Sequence, residues 1–271
     1  MYRLLAMDLD GTLLRRDHRV DDRDVAAIRE LRRAGVAVTI VTGRLCSGAL
    51  AAASACAIDG AIACVEGSHL IEVGSRRTLA LHAMSPAVTA ALRAVFAAHG
   101  LACFVFEADA IHHDRAGEPY AGYVRTWSPN LRVVEEALDE RVWADAPLAA
   151  VAIGSERAAR AAHAELRGQP GVFAVSFAVS ACPGKHAVLV RTDGPSKGTA
   201  LAELCRGAGC TLAEAVAVGD WMNDVPMFEV AGRSFVMGSA PDAVRAKATD
   251  RLDCAAGDGG GIAEAIRKAW G

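Results

Sequence analysis

The 271-residue sequence predicts an α/β protein, an open sheet of parallel strands whose chain is interrupted by an inserted α+β segment. Three observations predict it. The apolar opening of the chain, which ends at Asp8 and Asp10, and the runs 36–41 and 214–220 each close on a polar, glycine-containing turn, as strands buried on both faces do. Helical patterns alternate with these runs. The segment at about 84–183 differs in character and holds most of the aromatic residues, whereas the flanking parts are rich in Ala, Val and Leu.

The opening MYRLLAMDLDGTLL reads as a strand that ends in two aspartates, Asp8 and Asp10. Strand side chains alternate between faces, so the spacing points Asp8 and Asp10 the same way and Leu9 the other. Converging carboxylates repel and raise each other's proton affinity, a cost that marks a site. Asp21 then reads as an N-cap. Acids fill the first turn after it, Val25, Ile28 and Leu31 recur at helical spacing, basic residues crowd the last turn, and Gly35 ends the helix. VAVTIV (36–41) is a β-branched run leading to Thr42-Gly43-Arg44.

Within the insert, 86–99 and 156–167 read as helices, each followed by a short strand, 102–106 and 172–177. The flanking grammar returns with a strand at 186–190, a helix starting at Ser196-Lys197-Gly198 and a buried strand at 214–220. The expected division is therefore a core of 1–83 and 184–271 and a second domain of 84–183.

A chain of this size with 52% hydrophobic residues can bury a large core and a smaller second one. The net charge of −3 without a Lys/Arg block argues against nucleic acid or an anionic membrane as partner and for a small molecule. Arg3, Asp8 and Asp10 interrupt the apolar run a signal peptide needs, and no run approaches a membrane span, so the expected location is cytoplasmic. The eight cysteines show no Cys-x-x-Cys spacing and read as buried small hydrophobes. His112 and His113 are neighbours on a strand, so they point to opposite faces and are poorly placed to share a metal.

Ligands of open α/β sheets sit outside the carboxyl ends of the strands, where three polar clusters fall: Asp8-Leu9-Asp10-Gly11-Thr12, Thr42-Gly43-Arg44, and Gly219-Asp220-Trp221-Met222-Asn223-Asp224. Lys197 adds a cation at a helix N-terminus, where backbone N–H groups already favour an anion. Four carboxylates at one spot (Asp8, Asp10, Asp220, Asp224) need a hard cation, and oxygen ligands favour magnesium over zinc. A calcium loop opening at Asp8 fails, because its sixth and twelfth places hold Leu13 and Arg19 instead of Gly and Glu. Carboxylates, metal, lysine and hydroxyl describe a phosphoryl-transfer centre.

DLDGTLL, TGR, SKG and GDWMND, in this order, resemble the motifs of the haloacid dehalogenase superfamily, and the insert between the second and third motifs resembles its Cof-type branch. The resemblance implies a Rossmann-like core with an inserted cap. It makes Asp8 the nucleophile that becomes an aspartyl phosphate and Asp10 the general acid and base. It gives Thr42, Gly43, Lys197 and Asn223 to the phosphate, and it assigns Mg2+ to the Asp8 carboxylate, the Asp10 carbonyl, the Asp220 carboxylate and Asp224, directly or through water. The expected activity is a magnesium-dependent phosphatase on a small phosphorylated metabolite, with sugar phosphates as the default class. A phosphomutase and a catalytically silent binding protein are the alternatives, and the intact motif set argues against the second. The sequence carries no signal for oligomeric state. Two positions depart from the family: Glu66-Gly67 stands where Asn-Gly is common, and Trp221 occupies a loop position that is usually small. Both bear on substrate identity.

Overall fold

The computed structural model describes Met1–Gly271 and divides into two compact units, Met1–Gly43 with Ala49–Ala80 and Pro195–Gly271, and Arg44–Gly48 with Leu81–Gly194.

The first unit is built on a five-stranded sheet in the order Asp250–Arg251, Arg233–Val236, Ala215–Gly219, Leu4–Met7, Ala37–Ile40, every neighbouring pair parallel. Ala215–Gly219 lies at its centre with Leu4–Met7 beside it, and every residue of both is buried, as strands covered on both faces require. The register is level: Met7 faces Val218 on one side and Ile40 on the other. The residues one step beyond this level, Asp8, Val41 and Gly219, are therefore brought to one edge. A single bridge from Val41 to Ala63 joins the start of a second, three-stranded sheet, Ala61–Cys64, His69–Glu72 and Thr78–Leu81.

Helix Asp22–Arg33 forms as its sequence dictates, with Asp21 Oδ1 accepting the Arg23 N–H and Ile28 and Leu31 buried. Asp24, which reads as a simple first-turn acid, is fully buried and accepts the N–H groups of Gly260 and Ala263 at 2.8 Å each. It thus satisfies two of the orphan donors that open the last helix, Gly261–Trp270.

The second unit carries a six-stranded sheet in the order Val172–Ala178, Lys185–Thr192, Ala149–Ser155, Ala102–Phe106, Ile111–His113, Leu131–Val133. Its pairs are antiparallel except the last. Helices Pro86–Ala98 and Glu156–Leu166 bury Leu92, Phe96, Ala159 and Leu166 in a core with Cys103, Val105, Ala152 and Val188.

One expectation is corrected here. The strand at 186–190, assigned to the core from its sequence, is Lys185–Thr192 of the second unit's sheet, hydrogen-bonded antiparallel on both sides, and that unit runs to Gly194. A short β-branched run looks the same in a parallel and an antiparallel sheet, so composition alone misplaces it. None of the eight cysteines is in a disulfide, and five of them are buried. His112 lies beside Glu107 while His113 packs near Phe104, in keeping with opposite faces. No helix is long and apolar enough to cross a membrane.

Candidate active site

The strand Leu4–Met7 ends one residue before Asp8, whose N–H donates to the Val218 carbonyl at 3.0 Å. The chain then turns tightly, with Leu13 donating to the Asp8 carbonyl and Leu14 to that of Leu9. Gly11 is required twice over. Its φ of +80° lies in the left-handed region, and a Cβ there would stand 2.3 Å from Asp220 Oδ2. The turn also ends the strand alternation, so Asp8 is buried while Asp10 is exposed, and the Asp10 carboxylate does not join the acidic cluster. Its charge still acts on Asp220, so it lies near the cluster without belonging to it.

That cluster consists of Asp8, Asp220 and Asp224, each offering an oxygen within 4.8 Å of the others. Lys197 enters it from the first turn of helix Lys197–Gly207, whose start is fixed by a Ser196/Thr199 capping box. The lysine is completely buried and donates to Asp8 Oδ1 at 2.5 Å and Asp224 Oδ1 at 2.6 Å. Asp224 Oδ2 accepts the N–H groups of Asp220 and Trp221, at 2.8 and 2.9 Å. One carboxylate therefore fixes both the lysine and the loop that follows strand Ala215–Gly219. Thr12, given no role by sequence reasoning, donates its hydroxyl to Asp220 Oδ1 at 3.2 Å.

One ammonium does not balance three carboxylates. Burial drives the Asp8 carboxyl well above its ordinary value, with Asp224 and Asp220 adding to the push and Lys197 opposing it. Asp220 is raised to about 7, first by burial and then by the Asp224 charge. For Lys197 burial favours the neutral amine, but the Asp224 and Asp8 carboxylates outweigh it and hold the ammonium well above its usual range.

Thr42, fully buried, follows strand Ala37–Ile40 and donates its N–H to Ala63. Its carbonyl accepts the Glu66 N–H at 3.0 Å, which ties the second and third strand ends together. The Glu66 carboxylate lies over Gly43, where a Cβ would come 2.6 Å from Oε1. Asn223, expected on the phosphate, donates to that same Oε1 at 2.9 Å. The structure thus brings Asp8, Asp220, Asp224 and Lys197 into direct contact or close clustering, and it links Thr42, Gly43 and Asn223 through Glu66.

A parallel sheet that gathers carboxylates and a buried lysine beyond its strand ends places this protein among the α/β enzymes whose chemistry sits at that edge. The chain belongs to the haloacid dehalogenase-like hydrolase family, whose model matches residues 5–266. The HMP-PP phosphatase of Yersinia pestis is 29% identical over 246 residues, covering 89% of this chain and 85% of the relative. Among solved structures, a haloacid dehalogenase-like hydrolase from Bacteroides thetaiotaomicron superposes with a TM-score of 0.85 at 21% identity, covering all of both chains. A sugar phosphatase of haloacid dehalogenase subclass IIB gives 0.81 at 19% identity, covering 98% of each. These structural matches share the fold of this chain.

Proposed function

We propose that this protein is a magnesium-dependent phosphatase that hydrolyses a small phosphorylated metabolite, with a sugar phosphate as the default class, through an aspartyl phosphate on Asp8. The observation that carries the reading is the buried lysine bridging Asp8 and Asp224 beside Asp220. A relative is named a phosphatase and a structural neighbour a sugar phosphatase.

The donor set fits a hard divalent cation. It is made of oxygen atoms only, and it carries more negative charge than its single ammonium offsets. The carboxylates of Asp8 and Asp220 and the main-chain carbonyl of Asp10 would hold the ion. Asp224, already bonded to Lys197 and two backbone N–H groups, would support it directly or through water. When bound, such an ion lowers the repulsion between an anionic nucleophile and an anionic ester.

In this reading Lys197 orients the Asp8 carboxylate, and an Asp8 oxygen bonds to phosphorus as the ester P–O bond breaks. Asp10, exposed to solvent, gives its proton to the departing alcohol oxygen. It next takes a proton from water as that water attacks phosphorus, which breaks the bond to Asp8 and releases inorganic phosphate. The Thr42 hydroxyl and the Gly43 N–H hold phosphoryl oxygens, with the second N–H of the Asn223 amide as a further donor. The second unit, which contains most of the expected 84–183 segment, serves in this reading as the cap that selects the leaving group.

The test is phosphate release from a panel of phosphorylated metabolites and p-nitrophenyl phosphate, with chelator and with added Mg2+. Hydrolysis is expected only with the metal, and Asp8→Asn is expected to fold yet release no phosphate. Turnover unaffected by chelator, or near-normal turnover by the Asp8 variant, refutes the reading.

A further inference from the structure

Glu66 places a carboxylate where the phosphatase reading puts the phosphoryl group. Its Oε1 overhangs Gly43, its backbone N–H is held by Thr42, and its charge acts on the buried Lys197. Two consecutive non-glycine residues, Val65 at φ 49° and Glu66 at φ 56°, adopt the left-handed region to put it there. That conformation is unfavourable for a β-branched residue and persists only where its surroundings impose it. The surroundings do impose it. Gly67, at φ +95°, packs so closely on the Ser196 carbonyl that a Cβ would stand 2.7 Å away, and Asn223 donates to the carboxylate from the opposite loop. Glu66 is therefore held in place and is not a side chain trailing in solvent.

A fixed carboxylate beside a phosphoryl dianion weakens binding of any ester that brings only negative charge and hydroxyls. An ester that also brings a cation turns the same carboxylate into an attractive partner. The loop that supplies Asn223 also exposes Trp221, 57% accessible, and an aromatic face likewise favours a cation over an anion. We propose that Glu66 is a specificity-determining residue that selects phosphate esters whose leaving group carries a protonated amine. This narrows the substrate class and rests on the phosphatase reading of the site.

The experiment separates binding from turnover. Affinities of the intact protein for 3-aminopropylphosphonate and 3-hydroxypropylphosphonate, which are not hydrolysed, are measured by calorimetry with Mg2+ present. The wild type is expected to favour the amine by about tenfold, the scale of one partly screened charge pair. Glu66→Gln and Glu66→Asn, the second suited to the left-handed backbone, are expected to bring the ratio to about one. They should also bind inorganic phosphate more tightly than the wild type, the opposite direction from their loss of the amine. Glu66→Asp is expected to keep part of the preference. The preference should fade as the pH passes the amine's own ionisation, which a purely structural role for Glu66 would not produce. A wild-type ratio near one, or a ratio unchanged in the Gln and Asn variants, overturns the proposal. Failure of the wild type to release phosphate from any ester refutes the phosphatase reading instead, and the affinity ratio still decides the role of Glu66.

Discussion

Replacing Asp220 by asparagine is expected to stabilise the metal-free protein at neutral and alkaline pH. The Asp220 carboxyl is carried from its ordinary 3.8 to about 7, chiefly by burial and by the Asp224 charge. Because the folded-state value is raised, the stability it contributes is complete below pH 3.8 and is lost as the pH climbs through about 7. At about 1.4 kcal/mol per pH unit, ionising the buried group costs at most about 4 kcal/mol at pH 8. The asparagine keeps an oxygen for the Thr12 hydroxyl and carries no charge. In urea denaturation with chelator, Asp220→Asn should therefore exceed the wild type by about 2–4 kcal/mol at pH 8, and the difference should vanish near pH 4. Added magnesium should close most or all of that gap. A hundredfold excess over its dissociation constant stabilises the wild type by about 2.7 kcal/mol, while the variant, lacking a ligand, gains little. The reasoning is refuted if Asp220→Asn is the less stable protein in chelator at pH 8, or if the difference does not change between pH 4 and pH 8.

Two further substitutions probe the supports of the site. Lys197→Met leaves Asp8 and Asp224 buried without their ammonium and should cost about 3–5 kcal/mol in metal-free protein at pH 7, measured by urea denaturation, with a smaller loss in acid as the carboxylates take up protons. Gly67→Ala forces a Cβ against the Ser196 carbonyl in a left-handed conformation, so it should lose about 1–3 kcal/mol, read by thermal unfolding, and should raise KM because the start of the Lys197 helix shifts.

The parts of the site that were legible in the sequence are those where a polar residue interrupts a pattern that has no other use for it. Asp8, Thr42 and Asp220 follow apolar runs that pack as parallel strands, and Lys197 stands just inside a helix whose capping residues announce its start. What the sequence hid depends on where elements end and what they pair with. The strand stops at Met7, so alternation does not fix the Asp10 side chain, which is exposed while Asp8 is buried. Strand Lys185–Thr192 joins the second unit because its hydrogen-bonding partners, Val172–Ala178 and Ala149–Ser155, lie there, and pairing leaves no mark on a short apolar run. Asp224 reads as one more acid of a loop, yet its two oxygens hold Lys197 and the N–H groups of Asp220 and Trp221. Glu66 is visible only as a departure from a familiar motif, and its placement over Gly43 comes from two left-handed residues that no periodicity encodes.

The division of labour among the three acids explains how the same cluster can be rigid and reactive. Asp224 is the best satisfied, completely buried with three donors on its two oxygens, and it behaves as scaffold. Asp8 shares one of those donors, and Asp220 has a single long hydrogen bond from Thr12, so the unmet demand for positive charge falls on these two. With Lys197 charged and all three acids ionised, the cluster carries two negative charges before any phosphate arrives. A phosphoryl dianion added to that balance would be repelled from every side except that of the lysine. In the phosphatase reading, charge neutralisation must therefore accompany phosphate binding, and protonation of Asp8 or Asp220 would supply it only by removing the proposed nucleophile or a proposed ligand. A divalent cation supplies it without either loss. In that reading the strain of like charges at the strand ends would couple metal occupancy to substrate binding, and the fold tolerates it because Asp224 and Lys197 keep the surrounding loops in place.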